Sequence, residues 1–144
     1  GNVDITVGGR KPTRRMRVGI AIRQLLSAQV SAEQITLSSD AHGTMPVFDE
    51  KGSLVRMGVG DIGNLLKEFH RLVAEDGFPV SDILQCITLN PAKRIKIDGY
   101  KGSLEEGKDA DLIVFDSDWR IDRVYSMGKL MVSGGKPMVK GGFE

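Results

Sequence analysis

Two short β-branched runs bracket a helical stretch, and that order admits few folds. Val3-Asp4-Ile5-Thr6-Val7 alternates, so Val3, Ile5 and Val7 share one face of an extended strand that ends at Gly8-Gly9. After Pro12, Thr13 suits a helix cap, and Met16, Ile20, Ala21, Leu25 and Ala28 recur at helical spacing up to Gln29. Ile35-Thr36-Leu37-Ser38-Ser39 then reads as a second, buried strand. Strand, helix, strand calls for two parallel strands joined by a right-handed crossover. An α/β architecture is expected. A complete eight-stranded α/β barrel needs about 250 residues, so a chain of 144 cannot hold one. The chain opens Gly1-Asn2-Val3 without a Met and directly in a strand-like run, and it is expected to be a piece of a longer protein.

A long connection runs from Asp40 to Gly60. Within it Val47-Phe48 and Leu54-Val55 flank Asp49-Glu50-Lys51-Gly52, which predicts a small hairpin. Connections of this length are more often functional than idle. Asp61 is expected to cap the next helix, whose Ile62, Leu65, Leu66, Phe69, Leu72 and Val73 form an amphipathic stripe that stops at Gly77. Ser81 is expected to cap a short helix through Ile87, and Asn90-Pro91 carries the cap-then-proline signature of one more helical turn. From Gly99 glycines punctuate the chain, and Leu112–Phe115, Ile121–Tyr125 and Lys129–Val132 read as short antiparallel strands. Ser126-Met127-Gly128 and Ser133-Gly134-Gly135-Lys136 are the expected hairpin turns. The division expected is an α/β part over residues 1–92 and an all-β part over 93–144.

Composition excludes several classes of function. Twenty basic residues against 19 acidic ones leave no excess of positive charge to neutralise a phosphate track, so no nucleic-acid partner is expected. A single cysteine, Cys86, forbids an internal disulfide framework and suits a reducing, cytoplasmic compartment. No apolar run reaches the length of a membrane span, and no membrane partner is expected.

Asp40 is the sharpest chemical candidate. It follows a parallel strand and opens the long loop, and the active sites of parallel α/β folds gather at the carboxyl ends of their strands. A carboxylate there can bind a metal or carry a proton, while the same position equally suits a turn cap with Ser39 and Gly43. His42 lies two residues on, but two groups fall short of the three protein ligands of a catalytic zinc. His70 reads as a boundary histidine beside Phe69, and Cys86 as a small buried hydrophobe among Leu84, Ile87 and Leu89. The glycines at 58, 60 and 63 spell Gly-x-Gly-x-x-Gly outside any βαβ context and are discounted. Arg14-Arg15-Met16-Arg17, with Arg10 and Lys11 nearby, sits where an anion would be favoured, but reads more simply as a solvated helix face. The hydroxyl of Thr44 can donate to an anion or carbonyl, and alone it signifies nothing.

Two stretches carry a resemblance. Thr88-Leu89-Asn90-Pro91-Ala92, then Gly102-Ser103-Leu104-Glu105-Glu106-Gly107-Lys108-Asp109-Ala110-Asp111-Leu112-Ile113-Val114-Phe115-Asp116, resemble the carboxyl-terminal signature of the amidohydrolase superfamily, continued by Val124-Tyr125-Ser126-Met127-Gly128-Lys129 and Gly134-Gly135-Lys136. Ile35-Thr36-Leu37-Ser38-Ser39-Asp40-Ala41-His42-Gly43-Thr44-Met45-Pro46-Val47-Phe48-Asp49, Gly58-Val59 and the ending Val139-Lys140-Gly141-Gly142-Phe143-Glu144 are similar to the isoaspartyl dipeptidase family within it.

The resemblance implies the last two strands and helices of a metal-dependent TIM-like (β/α)8 barrel, followed by strands of a small β-sandwich. Val3 to Val7 would be the seventh barrel strand and Ile35 to Ser39 the eighth. It also implies a zinc-dependent hydrolase of β-aspartyl dipeptides, with two zinc ions in the whole protein, assembled as a homo-oligomer. Asp40 would bind the more buried metal and act as general acid/base. Thr44 matches a position where a serine contacts the substrate carboxylate. Ala41 and His42 depart from the small and amide residues of that family. Its histidine ligands, bridging lysine and substrate arginines lie on earlier strands, so these 144 residues alone are expected to be inactive and to keep no tightly bound zinc. Two alternatives stand beside this reading. One is a different amidohydrolase acting on cyclic amides or N-acyl amino acids. The other is a non-catalytic, self-associating module, because two orphan strands expose a sheet edge.

Overall fold

The computed structural model describes residues 1–7 and 17–139. Gly8-Gly9, the Thr13 cap, Met16 and the arginines at 14 and 15 lie outside the described residues, as does the ending from Lys140. The chain divides into two compact units, Gly1–Pro91 and Ala92–Glu144.

The first unit starts as the alternation dictates. Strand β1, Val3–Thr6, pairs in parallel with β2, Ile35–Ser38, with Val3 opposite Ile35 and Thr6 opposite Ser38. Val7 extends the pairing by donating its N–H to the Ser38 carbonyl at 2.7 Å. Helix α1, Val18–Ser27, lies between them in sequence. It stops two residues short of Gln29 because Gln29 itself turns left-handed, at φ 62°. There the Val30 N–H reaches back to the Leu25 carbonyl at 3.0 Å, closing the helix end in the way a glycine usually does.

One face of the β1–β2 pair is apolar and covered. Val7, Ile35 and Leu37 are buried with Ile22 of α1, Phe69 and Leu72 of α2 (Asn64–Ala74), Phe78, and Ile83 and Cys86 of α3 (Val80–Ile87). Each such side chain contributes roughly 1.5–3 kcal/mol by leaving water. The opposite face is polar. Asp4 there accepts hydrogen bonds from Thr36 Oγ1 and Ser38 Oγ, both at 2.6 Å.

Three expected helix starts are corrected. Asp61 does not cap α2. Gly63 occupies that position, and the Asp61 carboxylate instead accepts the Gly63 N–H at 2.9 Å and faces Lys67 Nζ at 2.8 Å, so the chain turns once more before the helix begins. Ile62 is consequently outside the apolar stripe and 72% exposed. Ser81 lies inside the first turn of α3, which starts from Pro79, and its hydroxyl bonds to Asp82. The turn at Asn90-Pro91 exists as α4, Leu89–Arg94, but Asn90 is inside it rather than at its cap. Asn90 is wholly buried, and its amide donates to the carbonyls of Ala32 at 2.9 Å and Ile35 at 2.8 Å. It thereby clasps the 3-10 turn Ala32–Gln34 to the start of β2.

The hairpin is longer than its flanking residues suggest. Strand β3, Thr44–Phe48, pairs antiparallel with β4, Leu54–Val59, and Asp49 Oδ1 ties the turn by accepting from Lys51 N–H and Ser53 N–H.

In the second unit β5 (Leu112–Phe115), β6 (Ile121–Ser126), β7 (Lys129–Ser133) and the two-residue β8 (Lys136–Pro137) form one antiparallel sheet in that order. Met127 and Gly128, at φ 48° and 77°, turn the first hairpin, and Gly134 and Gly135, at 55° and 71°, turn the second. Positive φ at both central residues is what the twist of a two-residue hairpin demands. The polar entry to β5 has a job here. Asp111 accepts the Met127 N–H at 2.8 Å and pairs with Lys101, and the Ala110 carbonyl accepts the Gly128 N–H at 3.0 Å. Among the described residues this unit is a single sheet, without the second layer of a sandwich. No helix among them is long and apolar enough to cross a membrane.

Candidate active site

Parallel pairing brings the carboxyl ends of β1 and β2 to the same end of the pair, and the chain leaving β2 starts there. Asp40 stands there, two residues beyond Ser38, with its side chain exposed. Its backbone is left-handed, at φ 47°, a conformation that costs a non-glycine residue roughly 1 kcal/mol. The Asp40 carbonyl accepts the Gly43 N–H at 3.0 Å, closing a tight turn, and Ser39 Oγ accepts the Ala41 N–H at 3.3 Å.

The turn is stitched to the far end of the hairpin. The His42 N–H donates to the Gly60 carbonyl at 3.1 Å, and the Gly60 N–H donates to the Gly43 carbonyl at 2.9 Å. Thr44 opens β3 opposite Val59 and is exposed. Asp40, His42 and Thr44 therefore follow one another around the foot of the hairpin. Asp40 and His42 both keep positive φ, a feature that clusters at functional sites.

The remaining candidates lie elsewhere. His70 sits in α2 with its ring 5.7 Å from that of Phe69. Cys86 is buried in the core and bonds to the Asp82 carbonyl at 3.3 Å. Burial, with the Asp82 charge second, pushes its thiol up to about 11, so it stays protonated and unreactive at neutral pH. The glycines at 58, 60 and 63 follow an antiparallel strand, which removes the parallel βαβ context a dinucleotide loop needs. Arg17 is exposed at the start of α1 and makes no side-chain cap.

Two features near this site lie outside the candidates that sequence reasoning singles out. Asp4 lies on the polar face with Thr36 and Ser38, and the alternation of Asp4 and Thr6 with Val3, Ile5 and Val7 is the signal that would have found it. The other is the dependence of the Asp40 turn on Gly60, 20 positions away, which no local pattern announces.

Among the described residues no three histidines, cysteines or carboxylates come together to hold a metal ion. A catalytic zinc takes three protein ligands, and one carboxylate with one imidazole on a single turn does not meet that requirement. What Asp40 offers from this chain is an exposed, positioned carboxylate able to carry a proton.

A family model described as amidohydrolase family matches residues 7–141. Among solved structures, the chain is similar to a beta-aspartyl dipeptidase of Fervidobacterium islandicum AW-1, crystallised with a beta-Asp-Leu dipeptide. The identity is 26% and the TM-score 0.77, over 99% of this chain and 36% of that one. It is also similar to an N-acetyl-D-glucosamine-6-phosphate deacetylase of Mycobacterium smegmatis, at 26% identity and a TM-score of 0.53, over 78% of this chain and 34% of that one. An adenine deaminase of Serratia proteamaculans (strain 568) is 40% identical over 67 residues, 45% of this chain and 11% of the relative. The chain thus spans about a third of the length of these solved structures and about a tenth of the deaminase.

Proposed function

The chain belongs to the amidohydrolase family of hydrolytic, generally metal-dependent enzymes, and on that premise we propose that the whole protein is an isoaspartyl dipeptidase. Its substrate would be a dipeptide linked through the β-carboxyl of aspartate. The observation that carries the reading is the exposed Asp40 carboxylate just past the carboxyl end of β2, in a chain whose likeness to the Fervidobacterium dipeptidase extends over 99% of its length.

In this reading a water oxygen attacks the β-carbonyl carbon and Asp40 takes its proton as the tetrahedral intermediate forms. Asp40 then delivers that proton to the leaving nitrogen as the C–N bond breaks, releasing aspartate and the second amino acid. General acid/base transfer of this kind is worth about 10²–10⁴-fold. The Thr44 hydroxyl, at the foot of the hairpin, donates a hydrogen bond to a substrate carboxylate. Zinc, where bound, lowers the pKa of water and polarises a carbonyl. Since the described residues do not make a metal site by themselves, we assign the further ligands to parts of the protein beyond these 144 residues, with Asp40 as one ligand. A cytoplasmic compartment and a homo-oligomer complete the proposal.

A second reading is favoured by the deacetylase likeness: an amidohydrolase that removes an acyl group from an amine nitrogen. It covers 78% of the chain at a lower TM-score, so it stands behind the first. The deciding experiment measures turnover of the intact gene product on a β-aspartyl dipeptide, its α-aspartyl isomer and an N-acetylated amino sugar phosphate. Selective cleavage of the β-linked isomer, with Asp40→Asn reducing kcat by about 10²–10⁴-fold, is expected. Wild-type turnover in Asp40→Asn, or cleavage of the acetylated sugar alone, refutes it.

A further inference from the structure

We propose that Gly43 is a positioning residue for Asp40, and that Gly60 supports it: the space left by their absent side chains is the space in which the Asp40 carboxylate and carbonyl sit. The inference rests on reading Asp40 as the proton carrier. A Cβ built on Gly43 falls on the Asp40 carboxylate, 2.7 Å from Cγ and 2.9 Å from Oδ2, with Oδ1 nearer still. A Cβ on Gly60 meets the Asp40 carbonyl oxygen and lies 3.1 Å from its carbonyl carbon.

Positive φ does not explain either glycine. Gly52 and Gly77 have φ of 85° and 71°, where other residues are strained, whereas Gly43 and Gly60 are outside the positive-φ set. Neither position demands the left-handed backbone that strains an alanine. The nearest obstacle at each is Asp40.

The two collisions differ in kind, and that makes the idea testable. At Gly43 the obstacle is the end of a side chain, which swings aside at little expense to the fold. At Gly60 it is backbone, held by the His42-to-Gly60 and Gly60-to-Gly43 hydrogen bonds, so the whole turn must shift. Gly43→Ala therefore moves the carboxylate while leaving the fold in place. Carbon–carbon contacts ordinarily lie at about 3.5–4.0 Å, so the displacement is roughly an ångström. A misplacement of that size costs a reacting group about 100-fold in rate.

The test uses the intact gene product. With β-Asp-Leu as substrate, Gly43→Ala is expected to lose about 100-fold in kcat with KM and melting temperature near wild type. Gly60→Ala should lose activity and melt earlier. Gly99→Ala, whose added Cβ meets nothing within 4 Å among the described residues and whose φ is not positive, is the control and should behave as wild type. In an Asp40→Asn background, Gly43→Ala should add no further loss, because the two act through one group. Wild-type kcat in Gly43→Ala, or an equal loss in the Asp40→Asn background, overturns the proposal. A wild-type protein that does not cleave β-Asp-Leu sinks the dipeptidase reading alone. Crystal structures of wild type and Gly43→Ala then decide the positioning claim, which stands if the carboxylate has moved and falls if it has not.

Discussion

Replacing Asn90 by leucine, which keeps the number and branching of the side-chain heavy atoms, should destabilise the first unit by about 2–3 kcal/mol. Asn90 is the one wholly buried polar side chain among the described residues, and its amide nitrogen serves two carbonyls. The Ala32 carbonyl also accepts the Ile35 N–H, so the substitution leaves it one partner. The Ile35 carbonyl loses an amide donor at the start of the strand. A hydrogen bond of this kind contributes about 1 kcal/mol net, and an acceptor left less well paired in the interior adds about 1 kcal/mol or more. A small opposing term comes from Asn90 Oδ1, which is buried and has no hydrogen-bond partner among the described residues, and whose removal relieves that loss. Urea denaturation followed by circular dichroism reads the result. With a urea slope of about 1–3 kcal/mol per molar, the midpoint should fall by roughly 1–2 M at unchanged slope. A midpoint within about 0.3 M of wild type would show that the clasp between α4 and β2 is not what holds the strand.

Three further outcomes are expected. The Cys86 thiol, pushed up to about 11 by burial, should resist a thiol-reactive disulfide reagent at pH 8 in the native chain and react stoichiometrically in urea, and stoichiometric native labelling contradicts its placement in the core. The Asp111 carboxyl is held below the usual carboxylate range by the Lys101 hydrogen bond and next by the Met127 N–H. As pH falls through and below that range, the unfolded chain binds the proton before the folded one does, so the stabilisation is full at neutral pH and is lost toward the lowered folded value. Asp111→Asn should flatten this acid limb in melting curves taken from pH 6 to 2, and an unchanged limb counts against the ion pair. Met127 occupies a left-handed turn position at φ 48°, so Met127→Asn should raise stability by about 0.5 kcal/mol, seen as a higher melting temperature, and a lower one would mean that the Met127 side chain contributes packing there.

Much of the local architecture was legible because it is written in short periods. The alternation of Val3, Ile5 and Val7, the stripe from Leu65 to Val73, and the Met127-Gly128 and Gly134-Gly135 turns each depend on neighbours within a few residues, and each element stands where its pattern lies. Boundaries were less legible. A cap is decided by which backbone N–H is left over when the helix docks, so Asp61 and Ser81, both good capping types, lost that position to Gly63 and Pro79. The hairpin outgrew its predicted length because pairing from Thr44 to Val59 is a contact between strands, not a property of either.

Taken by itself, the order of residues settled which faces are apolar, that the two leading strands run parallel, that no disulfide framework is available, and that a carboxylate follows the second strand. Tertiary structure alone decided what surrounds that carboxylate. Gly43 and Gly60 are 17 positions apart, and Asn90 lies 55 residues beyond the carbonyl it clasps. Such pairings exist only once the chain has closed on itself, since hydrogen bonds and steric room act over a few ångströms of space and are blind to distance along the sequence.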